Sequence, residues 1–166
     1  MVTTTALEER LRAVAGAVPD PELPVLTLEE LGVLRGIRMD GPTSVTVRLT
    51  PTYTGCPAIG TMTDDIERVL LDHGMTKVSV VTVLAPAWST DDITDEGQRK
   101  LAASGIAPPR PGAEDRSGPV PLTLAVRCPH CGSTDTELLS RFSSTACKAL
   151  RRCVSCREPF DHFKEL

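Results

Sequence analysis

Two Cys-x-x-Cys pairs, CPHC at residues 128–131 and CVSC at 153–156, stand 21 residues apart near the end of the chain. The two-residue spacing lets both sulfurs of a knuckle face one point, and two knuckles supply the four thiolates of a structural zinc site, with bonds of about 2.3 Å. Two local disulfides compete for the same residues, but the short Cys-x-x-Cys loop and a reducing cytosol disfavour them. A redox-active pair is a third reading, and it would not need a duplicate pair in so short a segment. Gly132 suits a tight knuckle turn after the first pair, whereas Arg157 follows the second, which ranks zinc ahead of a rubredoxin-like iron site. Residues 122–166 carry few large apolar side chains, so the ion's binding energy would become folding energy for this segment.

Cys147, in SSTACKALRRC, is a further thiol where four suffice. It reads either as core packing or, beside Lys148, Arg151 and Arg152, as a stabilised thiolate. His130 and His162 are available as substitute ligands, but with the thiolate set complete both are expected on the surface.

The composition is that of a soluble globular protein, and with aromatics at only 3% the core has to be built from Val, Leu, Ile and Ala. The N-terminus turns charged before any apolar run, so it does not read as a signal peptide. No stretch approaches the ~20 apolar residues of a membrane span, and the expected compartment is the cytoplasm. The net charge of −4 is uneven: residues 122–166 carry seven Lys+Arg against five Asp+Glu, the rest eleven against seventeen. An acidic body and a weakly basic tail argue against nucleic-acid binding.

Along the body, Thr5 with Glu8 has capping-box spacing ahead of Leu7, Leu11, Val14 and Val18 at helical intervals, and VPDPELP stops that helix. Thr27 and Glu30 repeat the spacing before Gly32, which predicts a single helical turn closed by a left-handed glycine. VLRGIRM and TSVTVRLT flank Asp40-Gly41, which predicts a hairpin turning at that dipeptide, with Pro42 suggesting an edge position where the second strand starts. From Pro57, Ile59, Met62, Ile66, Val69 and Leu70 form the stripe of an amphipathic helix. KVSVVTVL, residues 77–84, reads as a central strand, and a short helix around 95–104 follows.

Helix, strand, strand, helix, strand, helix describes a two-layer α+β domain over residues 1–106. The Pro/Gly-rich stretch 107–121 reads as a linker, and 122–166 as a small zinc-ribbon β domain with Cys128, Cys131, Cys153 and Cys156 as ligands.

Cys56, in TPTYTGCPAIG, is the one cysteine of the first 127 residues. Preceding Pro57, it is expected at a helix N-cap, where unpaired N–H groups lower a thiol pKa and favour a nucleophile or ligand. Buried packing is the alternative. The one histidine of the body, His73, falls at the far end of the same helix, about 25 Å away at 1.5 Å per residue, so a conventional Cys-His pair is disfavoured. Asp20 and Glu22 are loop carboxylates that could partner Cys56 or simply form a turn.

DPELPVLTLEELGVLRGI, TPTYTGCPA, PAWSTDDIT, GIAPP, CPHCGS and STACKALRRCVSCREPFDHFK, in this order, resemble the PaaD family of accessory proteins of bacterial phenylacetyl-CoA epoxidase systems. The N-terminal part is similar to SufT-like factors of iron-sulfur protein assembly. The resemblance implies a non-enzymatic role in installing or repairing a metal centre, iron-sulfur or di-iron, of a multicomponent oxygenase. Its partners would be the epoxidase subunits or their reductase. It carries over to Cys56 and Asp20 as ligands of transient iron or a cluster, to Cys128, Cys131, Cys153 and Cys156 as the zinc set, and to Cys147 as an additional thiol. A homodimer or a small-molecule thiol would complete a cluster site at Cys56, since clusters usually take four thiolates. A scaffold without cluster transfer is the alternative. Against the family pattern, Ser143 stands where glycine is usual, Arg151 where an aromatic is usual and Glu165 where many members have cysteine, and Ala85 lacks an acidic side chain.

Overall fold

A computed structural model describes residues 4–110 and 125–165 of the chain. Two compact units divide between Trp88 and Ser89.

The first unit opens with α1 (Thr4–Gly16), which buries Leu11 and Ala15 completely against β1 and α3. Thr5 lies inside this helix instead of capping it, and the Glu8 carboxylate accepts from the Met39 N–H at 2.8 Å, tying the helix to the sheet. The capping box at α2 (Leu28–Leu31) forms as expected: the Glu30 N–H donates to the Thr27 hydroxyl at 3.2 Å and the Thr27 N–H to the Glu30 carboxylate at 3.0 Å. Gly32 ends the turn at φ +76°.

β1 (Leu34–Gly41) and β2 (Ser44–Leu49) pair antiparallel, and β2 pairs parallel with β3 (Lys77–Thr82). The hairpin turns at Pro42-Thr43, one step past the expected dipeptide, with Gly41 still paired to Ser44. Asp40 instead accepts from the Thr46 hydroxyl at 2.6 Å and the Arg38 guanidinium at 3.0 Å. The parallel pair needs a crossover, supplied by α3 (Ala58–Asp72), whose buried stripe is Ala58, Met62, Ile66 and Leu70. Val45, Val47 and Leu49 alternate onto the helical face and are wholly buried.

The strand order β1-β2-β3 corrects two expectations. β2 is central despite Pro42, because the proline sits in the turn and removes no ladder donor. β3 is the edge strand, and Val81 is exposed. Its β-branched run is what a strand needs on either an edge or a centre, so composition could not tell the two apart. Trp88 closes the unit, its indole N–H donating to the Leu31 carbonyl at 2.8 Å.

The second unit starts with a 3₁₀ turn (Thr90–Asp92) and α4 (Asp95–Ala103), capped by Thr94, whose hydroxyl accepts from Gly97 at 3.1 Å. β4 (Ile106–Ala107), β5 (Thr136–Ser140), β6 (Lys148–Cys153) and β7 (Pro159–Phe163) form a sheet in the order β4-β7-β6-β5. β4 runs parallel to β7 and the other pairs are antiparallel. Ala107, Val126, Cys128, Cys153 and Phe160 make a small core.

This partition differs from a body ending at 106. α4 packs on β4, and β4 is hydrogen-bonded to β7, so the stretch from Ser89 belongs with the cysteine pairs. Residues 107–110 are not linker: Ala107 is buried in the sheet, and Arg110 donates from Nε to Glu165 at 3.2 Å. The rest of the expected linker, 111–121, and residues 122–124 lie outside the described residues.

Candidate functional site

Each Cys-x-x-Cys pair sits in a knuckle closed by its own backbone. The Cys128 N–H donates to the Ser133 carbonyl at 2.8 Å and the Gly132 N–H to the Cys128 carbonyl at 2.9 Å. In the second knuckle the Cys153 N–H donates to Glu158 at 3.0 Å, and the Cys156 N–H points at the Cys153 sulfur, 3.5 Å away. Gly132 and Arg157, each following the second cysteine of its pair, both have positive φ. The Ser133 and Ser155 hydroxyls join the knuckles at 2.9 Å.

The four sulfurs of Cys128, Cys131, Cys153 and Cys156 all lie within 4.8 Å of one another. Cys128 to Cys156 is 3.8 Å and Cys131 to Cys153 is 3.5 Å. A disulfide would need about 2.05 Å, whereas a tetrahedral ion with bonds of about 2.3 Å sets its sulfurs about 3.8 Å apart. The spacing therefore fits a metal ion and not two disulfides. Cys128 and Cys153 are buried in the core and the other two lie toward solvent.

Protons are shared unequally among these thiols. The Cys156 N–H, with lesser help from the Cys131 thiol, draws Cys153 down to about 6. For Cys156 the Glu158 N–H pulls downward, but desolvation and the three neighbouring sulfurs outweigh it and push the thiol up to about 12. One site thus ionises readily while crowding of like charge holds another back, an imbalance that a divalent cation removes.

The further cysteine of this unit stands apart. Cys147 is buried, its sulfur 3.1 Å from the Thr145 hydroxyl, and it is not among the clustered four. Lys148 beside it faces Asp161 at 3.3 Å. His130 is exposed as expected. His162 is not: it is buried on β7, and burial lowers its pKa, with Glu165 pulling the other way. Glu165 accepts from both the backbone N–H and the guanidinium of Arg110. The Ser143 hydroxyl donates to Asp161.

In the first unit, Cys56, Asp20 and Glu22 do not form a cluster of potential metal ligands among the described residues. The chain from Pro19 to Thr27 closes on itself through a bridge between those two residues. Asp20, buried inside, accepts at Oδ1 from the Glu22 N–H at 2.9 Å and the Leu23 N–H at 2.6 Å. Burial pushes the Asp20 carboxyl up, against the Leu23 and Glu22 hydrogen bonds that favour its charged form.

Cys56 lies within the electrostatic reach of both Glu22 and Asp20. It is not the N-cap of α3: that is Pro57, and helix begins at Ala58. The expected lowering of its pKa does not occur. Burial raises it, the Ala58 N–H opposes, the Glu22 and Asp20 charges raise it further, and a hydrogen bond with Thr52 opposes again. His73, the C-cap of α3, bonds its own helix through Nδ1 and Val69 O at 2.7 Å. The result is a buried sulfur, kept protonated by burial and by the charges of Glu22 and Asp20. A thiol held protonated is poorly set for nucleophilic attack. Thr52 and the Ala58 N–H were not singled out from sequence, because their role depends on how the loop before α3 folds over the sulfur.

Fold and site together define a two-part class: a small α/β domain of the iron-sulfur assembly type followed by a cysteine-ligated β-ribbon. The family model described as iron-sulfur cluster assembly protein matches residues 8–83, and that described as PaaD zinc beta ribbon domain matches 114–164. A protein of Escherichia coli (strain K12) named as a "Putative 1,2-phenylacetyl-CoA epoxidase" subunit is 46% identical over 152 residues, which is 92% of this chain and 89% of that one. The chain belongs to the PaaD family. A "Fe-S protein maturation auxiliary factor" of Porphyromonas gingivalis (strain ATCC BAA-308 / W83) is 28% identical over 95 residues, 57% of this chain and 90% of that one. Among solved structures, a DUF59 domain of unknown function from Bacillus anthracis matches with a TM-score of 0.56 and 28% identity, covering 59% of this chain and 93% of that one. Among the described residues no helix is long and apolar enough to cross a membrane.

Proposed function

We propose that the protein assists assembly or maturation of a metal centre, iron-sulfur or di-iron, in a multicomponent phenylacetyl-CoA epoxidase, and does not itself oxidise substrate. The observation that carries this reading is the joining, in one chain 46% identical to a relative named as an epoxidase subunit, of an iron-sulfur assembly domain and a cysteine ribbon. In this reading Cys56 and Asp20 hold iron or a cluster as cargo. A lone cysteine ligates a cluster incompletely, so Cys56 of a second copy or a small-molecule thiol completes the site. The resident metal of the ribbon is zinc, held by Cys128, Cys131, Cys153 and Cys156; it supplies a redox-inert cross-link and no reaction step. The work is done in the cytoplasm on the epoxidase subunits or their reductase.

The test is purification of the epoxidase from cells with and without this protein, with iron and sulfide measured on each subunit, and the same with Cys56→Ser. Equal metal content in all three overturns the reading. A second reading, a scaffold without cargo, is favoured by the burial of Cys56. Full metal content with Cys56→Ala but not without the protein would select it.

A further inference from the structure

β5 is an edge strand of the ribbon sheet, bonded to β6 alone among the described residues. Edge strands offer free backbone donors and acceptors, and proteins usually shield them with charge and polar side chains. Here Leu138 and Leu139 are each 48% exposed, Phe142 just beyond is 63% exposed, and Val154 is 47% exposed. Val154 is tied to the start of the strand by its N–H bond to Asp135 at 2.9 Å. The pairing register shifts between Leu138 and Ser140, which marks a bulge and breaks the alternation that would send one of the two leucines under the sheet.

The charge beside this patch has one sign at the Phe142 end. Lys164 sits over the Phe142 ring, 4.5 Å from its centre, and its Nζ donates to the Arg141 carbonyl at 3.2 Å. The nearby acid Asp161 is occupied by Ser143 and Lys148, and Glu137 on the strand is held by Arg152. Neither Arg141 nor Lys164 forms an ion pair among the described residues.

We propose that the β5 edge with Leu138, Leu139, Phe142 and Val154 docks an acidic, apolar segment of a client protein. Its apolar side chains cover the leucines and the phenylalanine, and its carboxylates meet Arg141 and Lys164. The choice of client, the epoxidase, rests on the assembly reading above.

Binding of the full-length protein to purified phenylacetyl-CoA epoxidase is measured by interferometry across a salt series, with folded state and bound metal checked for each variant. Leu139→Asp and Phe142→Asp are each expected to weaken binding ~10-fold or more. Arg141→Glu weakens it and flattens the salt dependence. Wild-type affinity in both patch variants, or tighter binding with Arg141→Glu, overturns the proposal. So does a wild-type dimer dissolved by Phe142→Asp with epoxidase binding unchanged, which would assign the patch to a second copy. Absent binding by wild type, with epoxidase iron still dependent on the protein, sinks the docking surface and spares the assembly role. Patch-dependent binding with epoxidase iron unchanged by loss of the protein does the reverse.

Discussion

Gly132 and Arg157 occupy matching places in the two knuckles, each directly after the second cysteine of its pair, with φ of +77° and +66°. The first is a residue suited to left-handed backbone and the second is not. Arg157→Gly is therefore expected to stabilise the metal-loaded ribbon by about 0.5–1 kcal/mol, and Gly132→Ala to cost about 1 kcal/mol. No atom lies within 4 Å of an added Cβ at Gly132, so its cost is conformational alone. Thermal unfolding with metal content checked reads both; a destabilised Arg157→Gly would mean that its side chain matters more than its φ.

Removing the ion should undo the ribbon and leave the first unit folded. The single tryptophan, Trp88, is buried and bonded to Leu31 of the first unit, so it reports on that unit's fold. A strong chelator is expected to abolish part of the far-ultraviolet dichroism while tryptophan emission stays native. Cys128→Ser and Cys153→Ser should mimic it. An unchanged spectrum in metal-free protein would show that the ribbon does not need its ion.

Asp20 and Asp40 titrate in opposite directions. Burial raises Asp20 above its unfolded value, so its contribution to stability is full below the unfolded pKa and is lost as pH rises through the folded one. The Thr46 hydroxyl, then Arg38, lowers Asp40, so its contribution is present above the unfolded pKa and is lost as pH falls through the folded one. Denaturant midpoints between pH 3 and pH 7 should show Asp20→Asn gaining on wild type as pH rises and Asp40→Asn losing on it. Asp20→Ala, which removes the acceptor of two N–H bonds, should cost about 1–2 kcal/mol near pH 3 and less as pH rises.

Cys56 should be a sluggish thiol. Burial and the Glu22 and Asp20 charges hold it protonated, so iodoacetamide at neutral pH is expected to label it several-fold more slowly than a free cysteine. Glu22→Gln should speed that labelling, and peptide mass spectrometry after timed quenching measures both. Labelling faster than free cysteine would restore the helix-start activation expected from sequence.

Where chemistry is local, the sequence was a sufficient guide. The Thr27, Glu30 and Gly32 cap is a pattern within six residues, and each Cys-x-x-Cys knuckle is a pattern within four, so both could be read before any fold was known. Thr5 with Glu8 had the same spacing as Thr27 with Glu30 but a different fate, because Glu8 found the Met39 N–H across the fold. Local spacing offers a cap, and tertiary contact decides whether it is used.

Sequence alone determined the helices and strands of the first unit, Met62, Ile66 and Leu70 on the buried face of α3, and the four ribbon sulfurs, because each rests on periodicity or on neighbours a few residues apart. Tertiary structure decided what depended on distant partners. β3 became an edge, β4 joined β7 and drew Ser89 to Arg110 into the ribbon unit, and His162 was buried. It also brought the Asp20 and Glu22 loop to Cys56, turning an expected activated thiol into a protonated one. Strand order, burial and through-space charge arise from residues tens of positions apart, and no local pattern records them.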